Sequence, residues 1–379
     1  MKKRVAIFGS TGSIGTSTLQ IIRDNPELFE VTILVAGINV KLLAEQIKEF
    51  HPKYTYIRDE KNKNILLEEC KGLISRDKVF FGDVGMEEIS KIYDFDIAVS
   101  AMVGIAGLKP TYNLIKSGAD IALANKEVLV TGGKLIREHA KRYGTRLLTV
   151  DSEHSAIMQC LRGEEKNEIE KILLTASGGP FFTKDIGPWI KVEDVLTHPT
   201  WKMGPKITVD SATMMNKGFE VIESTLLFNV KPTQVEVVVH RQSILHSAVQ
   251  FKDGTIMASM GPTDMRIPIS YALTYPKRLQ NTIEKVDLFK LLTLSFEKPN
   301  KQKFPCLEYT FQAIEDGLEK QIVLNAANEV AVEKFLKGKI SFTAIPEVIY
   351  RVLSADKGRC SDIENVENIL AIDKETRAV

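Results

Sequence analysis

Short β-branched runs alternate with amphipathic ones through the first 150 residues, and this alternation narrows the possible folds sharply. Arg4–Phe8, Val31–Val35, Tyr54–Ile57, Lys78–Phe81, Asp96–Ser100, Asp120–Ala124 and Arg146–Val150 read as strands. Between them lie stretches such as VKLLAEQI (40–47), whose apolar residues recur near every ~3.6 positions. Near-continuously apolar strands alternating with helices indicate a parallel sheet covered on both faces. Right-handed crossovers then make a doubly wound α/β domain over residues 1–150.

After Val150 the rhythm changes. Strands at Lys171–Thr175 and Val235–His240 flank a segment with several Gly and Pro residues, 178–204. A hairpin is expected from Ala248–Phe251 and Thr255–Met260, turned by Lys252-Asp253-Gly254. Pro262, Pro268 and Pro276 then interrupt the chain. From about Lys301 the pattern is helical, with Ile322, Ala326, Val330 and Ala331 on one face of 321–336. The expected organisation is a doubly wound domain (1–150), a middle α+β domain (151–275), a linker (276–300) and a C-terminal helical bundle (301–379).

Charge and cysteine content exclude several classes. Lys and Arg number 50 and Asp and Glu 49, for a net charge of +1, and no basic stripe stands out. A nucleic-acid partner is not expected. No stretch approaches the ~20 apolar residues that span a bilayer, so a membrane partner is not expected either. Cys70, Cys160, Cys306 and Cys360 form no C-x-x-C pair, and the first apolar run is too short for a signal peptide; both suit a cytoplasmic protein. His51 and His139 are expected at the surface.

The first strand runs into Gly9-Ser10-Thr11-Gly12-Ser13-Ile14-Gly15, with a helical pattern from near Thr16. Glycines at these positions permit a tight strand-to-helix turn, and let backbone N–H groups approach a pyrophosphate at the positive helix terminus. Ser10, Thr11 and Ser13 add hydroxyl donors. A dinucleotide fits this turn better than an ordinary βα connection does. The second strand ends Val35-Ala36-Gly37-Ile38-Asn39, without the carboxylate that usually holds a ribose 2′-hydroxyl. That favours NADP, with the Asn39 amide near a 2′-phosphate.

Strand 146–150 leads into Asp151-Ser152-Glu153-His154. In extended chain, side chains two apart point the same way, so Asp151 and Glu153 converge at the C-terminal end of a strand, where open α/β sheets bind ligands. Paired carboxylates of this kind suit Mg²⁺ or Mn²⁺. A helix N-cap explains the quartet equally well. The stretch 210–220, DSATMMNKGFE, holds phosphate donors in Ser211, Asn216 and Lys217, with Glu220 on the same helical face as Lys217. By itself that stretch reads more simply as a capped helix with a surface ion pair.

Taken together, GSTGSIG (9–15), LANKEVLV (123–130), DSEHSAI (151–157), TASGGPF (175–181), HPTWKMG (198–204), ITVDSATMMNKGFEVIE (207–223), HRQSILHSAVQFKDG (240–254), TDMRIPISYAL (263–273) and NAANEVAV (325–332) strongly resemble the 1-deoxy-D-xylulose 5-phosphate (DXP) reductoisomerase family over nearly the whole chain. The resemblance implies an NADPH-binding Rossmann-like domain, a catalytic, metal-binding and dimerising domain, a C-terminal helical bundle, and a homodimer. It implies isomerisation and reduction of DXP, a sugar phosphate, to 2-C-methyl-D-erythritol 4-phosphate in the non-mevalonate isoprenoid pathway. Asp151, Glu153 and Glu220 match the ligands of Mg²⁺, Mn²⁺ or Co²⁺. Ser152 and Lys126 match contacts to the substrate hydroxyls, and Ser177, Ser211, Asn216 and Lys217 match the phosphate set. Trp201, in the segment beginning at His198, matches the indole of a lid. His154, His198 and His246 match histidines lining the site; Lys126, Glu153, Lys217 and His154 are the expected catalytic groups. Thr11, Gly12, Ser13, Ile14, Gly37, Asn39, Asn125, Glu127 and Met265 match cofactor contacts. The chain departs from the family's usual residues at Ile38, Val128 and Arg241.

Overall fold

A computed structural model describes the chain except for residues 166–167, 198–199, 202, 357 and 359–362. Its first elements are β1 (Lys3–Phe8), α1 (Ser13–Asp24), β2 (Phe29–Val35), α2 (Val40–Phe50), β3 (Tyr54–Ile57), α3 (Glu60–Glu69), β4 (Val79–Phe81), α4 (Gly82–Ile89), β5 (Ile97–Ser100), α5 (Leu108–Ile115), β6 (Asp120–Leu123), α6 (Glu127–Tyr143) and β7 (Leu147–Thr149). Then follow α7 (Ser152–Cys160), β8 (Ile169–Ala176), α8 (Val192–Val195), α9 (Pro205–Ala212), α10 (Met215–Phe228), β9 (Val235–Val239), β10 (Leu245–Phe251), β11 (Ile256–Met260), α11 (Arg266–Thr274), α12 (Leu288–Leu291), α13 (Pro305–Asp316), α14 (Leu318–Leu336), α15 (Ala344–Ala355) and α16 (Val366–Arg377).

The chain forms two compact units. The first comprises Met1–Val128, Ile136–Asp151 and Met265–Gln280. Its strands make one parallel sheet in the order β4-β3-β2-β1-β5-β6-β7. The strands are buried almost throughout, as the apolar runs predict for a sheet covered on both faces. The order reverses between β1 and β5, the switch point at which doubly wound sheets open a crevice.

Helix α11 belongs to this unit, although the sequence reading placed 265–275 in the middle domain and began a linker at 276. Its buried residues Ile269, Tyr271, Ala272 and Leu273 pack toward α1, β6 and β7, and Lys3 Nζ donates to the Leu273 carbonyl at 2.9 Å. Pro268 misleads here. It sits in the first turn of α11, where a missing N–H breaks no intrahelical bond.

The second unit comprises Leu129–Leu135, Ser152–Asp264 and Asn281–Val379, so the middle segment and the C-terminal helices are one body. Its sheet runs β11-β10-β8-β9, with β8 and β9 parallel and β10 antiparallel to both its neighbours. Helices α13, α15, α16 and α9 pack around α14. The single apolar face expected for α14 understates its burial: Ile322 through Asn328 are consecutively buried, so the middle of the helix is enclosed on all sides. Asn325 and Asn328 are polar, which hid that enclosure from a hydrophobicity pattern.

His51 is exposed at the end of α2, as expected, but His139 is not at the surface. Its ring stacks on Tyr112 at 3.8 Å with a 9° interplanar angle, and its Nε2–H donates to the Tyr112 carbonyl at 3.1 Å. The Arg- and Lys-rich neighbours on α6 had suggested a solvated face; the aromatic partner lies far away in sequence.

Candidate active site

The glycine turn lies at the switch point of the first unit. Gly9 has φ +103°, and a Cβ there would stand 2.4 Å from the Ala101 carbonyl oxygen, so no other residue fits between β1 and β5. The N–H groups of Gly9 and Ser10 both donate to the Val35 carbonyl at 2.9 Å, and Gln46 Nε2 donates to the Ser10 carbonyl at 2.9 Å. The turn is thus braced by β2 and α2. Helix α1 starts at Ser13, earlier than the expected Thr16, which puts Gly12 at the cap. Thr11 to Ile14 are partly or fully exposed, whereas Ser10, expected as a hydroxyl donor, is fully buried.

Other residues assigned to a cofactor fall in the same unit. Asn39 caps α2, its Oδ1 accepting from Leu42 N–H at 3.2 Å, and lies between Gly37–Ile38 and the helix. Asn125 is a latch: Nδ2 donates to the carbonyls of Met102 and Gly104, and Oδ1 accepts from Val128 N–H at 3.3 Å. Glu127 is buried in the first turn of α6, and Met265 caps α11.

Asp151 follows β7 in the first unit, and Glu153 opens α7 in the second. The expected extended-chain alignment of Asp151 and Glu153 is incorrect, because β7 stops at Thr149 and Glu153 lies in the first turn of α7. Glu153 sits at a helix entry instead, where the helix dipole favours an acid. Within the second unit, Glu153 and Glu220 both approach the Lys217 ammonium. Lys126 Nζ is 3.0 Å from Asp151 Oδ2. On α10, Lys217 is ion-paired with Glu220 and stands 3.4 Å from Glu153 Oε1. Asn216 Nδ2 donates to Glu220 Oε1 at 2.6 Å, and Ser152 Oγ donates to Glu153 Oε2 at 2.6 Å. The Lys217–Glu220 pair is therefore buried rather than a surface pair. Carboxylates held close together repel unless a proton or cation is shared, and all-oxygen donors such as Glu153 and Glu220 fit a hard divalent ion.

His154 is fully buried behind this cluster. Its Nε2 is 3.0 Å from the Glu220 backbone carbonyl and 3.1 Å from Ser224 Oγ, while Nδ1 is 3.6 Å from Glu223 Oε2. Helices α7 and α10 are tied together through it.

A polar turn adjoins the acids. Met214, in the left-handed region at φ 60°, separates α9 from α10, with Ser211 before it and Asn216 and Lys217 after it. Gly179, φ +67°, lies so close that a Cβ would stand 2.8 Å from the Ser211 carbonyl oxygen. Gly179 N–H donates to Ser177 Oγ at 3.2 Å, so the end of β8 carries Ser177 to the same neighbourhood. Trp201 and His246 have ring centroids 6.0 Å apart. His246 Nε2–H donates to the Gly261 carbonyl at 3.0 Å; burial lowers its pKa below the usual histidine value, and the accepting carbonyls oppose the shift in part. His198 lies outside the described residues.

Glu223, Ser224, Lys206 and Asp210 escaped the sequence reading. A helical phase would have pointed to them: Glu223 follows Glu220 by one turn, and Lys206 and Asp210 are spaced to pair along α9.

Among the described residues, no helix is long and apolar enough to cross a membrane. Family models match as follows: 1-deoxy-D-xylulose 5-phosphate reductoisomerase over residues 5–133, its C-terminal domain over 147–228, and a DXP reductoisomerase C-terminal domain over 260–379. A 1-deoxy-D-xylulose 5-phosphate reductoisomerase of Chloroherpeton thalassium is 50% identical across 99% of this chain and 96% of its own. That of Clostridium perfringens (strain 13 / Type A) is 47% identical across 99% of this chain and 98% of its own. The solved structure of the Zymomonas mobilis reductoisomerase in complex with NADPH superposes with a TM-score of 0.91 at 38% identity, covering 100% of this chain and 98% of that one. A DOX-P reductoisomerase in complex with NADPH, fosmidomycin and magnesium gives 0.93 at 38% identity, covering 99% and 97%. With this agreement in sequence and fold along its whole length, the chain belongs to the 1-deoxy-D-xylulose 5-phosphate reductoisomerase family.

Proposed function

We propose that this chain converts 1-deoxy-D-xylulose 5-phosphate to 2-C-methyl-D-erythritol 4-phosphate, dependent on NADPH and a divalent cation, in the non-mevalonate isoprenoid pathway. The observation that carries this reading is the pairing of Glu153 and Glu220 with the buried Lys217 ammonium. Its full-length relatives share the activity's name, and solved neighbours hold NADPH, magnesium and fosmidomycin.

Asp151, Glu153 and Glu220 hold Mg²⁺ or Mn²⁺, with Co²⁺ an alternative. When bound, the cation supplies Lewis acidity toward the substrate's carbonyl and vicinal hydroxyl. Lys126 and Ser152 orient those oxygens, and the Lys126 ammonium opposes negative charge developing there. Ser177, Ser211, Asn216 and Lys217 hold the phosphate, whose remote binding energy fixes the reacting end. Trp201, with His198 and His246, covers the substrate and excludes water. His154 fixes α7 against α10 and so holds Glu153 and Glu220 at their spacing. NADPH supplies the reducing equivalents. Thr11 to Ile14 and the N-terminus of α1 take its pyrophosphate, Gly37 and Asn39 the adenosine ribose end, and Asn125, Glu127 and Met265 the rest.

The enzyme acts in the cytoplasm as a homodimer. Supporting the dimer, β11 is an edge strand that exposes Ile256, Met257 and Met260, and such an apolar edge invites pairing with a second copy.

The test is NADPH oxidation with DXP, with and without Mn²⁺. Metal-dependent oxidation that yields the branched polyol phosphate is expected. No oxidation, or oxidation indifferent to metal removal, overturns the reading.

A further inference from the structure

Asp210, Lys206 and Asn328 make a buried polar contact that the reaction above does not use. Asp210 is 1% exposed and Asn328 0%. Asn328 Nδ2 donates to Asp210 Oδ1 at 2.9 Å, and Lys206 Nζ lies 2.8 Å from Asp210 Oδ2. Both carboxylate oxygens are therefore engaged, one from α14 and one from the same helix, α9. The Lys206 ammonium also sits over the Phe219 ring of α10, 5.2 Å from its centroid.

This contact fixes more than a pair of side chains. Asp210 directly precedes Ser211, so anchoring it to α14 sets the rotation of α9 about its axis, and with it the direction in which Ser211 faces. The turn at Met214 then passes the constraint on to Asn216 and Lys217. Helix α14 is itself keyed. Asn325 Nδ2 donates to Glu329 Oε1 at 3.0 Å, and Arg377 of α16 donates to Glu329 Oε2 at 2.6 Å.

An apolar set at 206, 210 and 328 together would stabilise the helix contact about as well, since Asn328 Oδ1 has no protein partner among the described residues. A buried polar contact instead selects one register. We propose that Asp210 and Asn328 are positioning residues for the phosphate-binding end of the site, acting through Ser211. This rests on the reading of Ser177, Ser211, Asn216 and Lys217 as the phosphate set.

The full-length enzyme is tested as N328A, as N328D, and as the exchanged pair D210N/N328D, which restores the bond with donor and acceptor swapped. KM for DXP and the Kd values of NADPH and Mn²⁺ are measured for each. In N328A and N328D, KM is expected to rise about tenfold or more while both Kd values stay within about threefold, and the exchanged pair is expected to recover most of the loss. Loss of helix packing alone would raise the Mn²⁺ Kd along with KM, because Glu220 lies in the same unit. N328A carries the test if N328D does not fold, because Ala is the best helix former. An unchanged KM in N328A, a matching rise of KM and the Mn²⁺ Kd, or a folded exchanged pair with no recovery overturns the proposal. If instead the wild-type enzyme uses 1-deoxy-D-xylulose as well as its phosphate, the phosphate reading itself fails.

Discussion

The Lys217 ammonium is ion-paired with the Glu220 carboxylate one turn further along α10, and the two residues are only 5% and 1% exposed. Charges this deeply buried persist because each has a partner, and removing one side leaves the other uncompensated. Glu220→Gln keeps the shape and the Asn216 neighbour but removes the charge. Turnover is expected to fall more than about 100-fold, with Mn²⁺ affinity reduced at least about tenfold. The Kd of NADPH should be nearly unchanged, because every residue assigned to the cofactor lies in the other unit. Steady-state kinetics and a Mn²⁺ titration check this, and an unchanged rate removes Glu220 from the ligand set.

Lys217→Ala separates a phosphate role from a purely structural one. A charge-assisted bond to phosphate is worth about 1.5–3 kcal/mol, so KM for DXP should rise by roughly 10- to 100-fold. Ligands lacking the phosphate should lose far less. Equal losses for both kinds of ligand contradict phosphate binding by Lys217.

How far the sequence reached depends on the range of the interaction that decides each element. The parallel sheet was legible because β1 to β7 are each set by a local apolar run, and their observed limits agree closely with the expected ones. The acid cluster was legible only in part. Asp151 and Glu153 announce themselves by adjacency, but Glu153 is placed by the start of α7, not by strand geometry. Helical phase could have marked Glu223 and Asp210, but not their contacts with His154 and Asn328, which lie on other helices. His139 shows the same limit, since Tyr112 decides its burial. The place of α11 could not be read at all: its partners α1, β6 and β7 precede it by more than a hundred residues.

Gly9→Ala should damage the nucleotide turn. At φ +103° a side chain is strained, and its Cβ would meet the Ala101 carbonyl oxygen at 2.4 Å. A cost of about 2–4 kcal/mol in stability is expected, with weaker NADPH binding. Thermal unfolding with and without NADPH measures both; a variant as stable and as tightly binding as the parent would show that the turn relaxes freely.

Burial holds the pKa of His139 below its ordinary 6.5, with nearby Lys116 and Arg142 adding to the shift and the Tyr112 carbonyl opposing it. The folded protein therefore binds fewer protons than the unfolded chain in the window just below that value. The contribution is complete above about pH 6.5 and is lost as pH falls toward the lower folded pKa. His139→Phe keeps a ring against Tyr112 but cannot titrate. Denaturant unfolding at about pH 7 and about pH 5 should give a smaller acid loss for the variant than for the wild type. Equal losses exclude His139 as a source of acid sensitivity.

Met257→Lys places a charge on the exposed edge strand β11, 37% exposed at that residue. Charged edges resist strand pairing. Sedimentation velocity should show the wild type as a dimer and the variant shifted toward monomer, with the unfolding temperature of the separated chain little changed. A variant that remains fully dimeric places the interface elsewhere.

The enclosure of α14 bears on how the enzyme can be cut. A helix buried from Ile322 to Asn328 has no side on which to meet water, so α13, α15 and α16 are its lining and not a detachable cap. Shortening the gene before α14 would expose the apolar inner faces of α9 and α10 that carry Ser211, Asn216, Lys217 and Glu220. The product would be an aggregating fragment, not a smaller catalyst. Proteases acting on the native enzyme should likewise spare this region until the whole second unit opens.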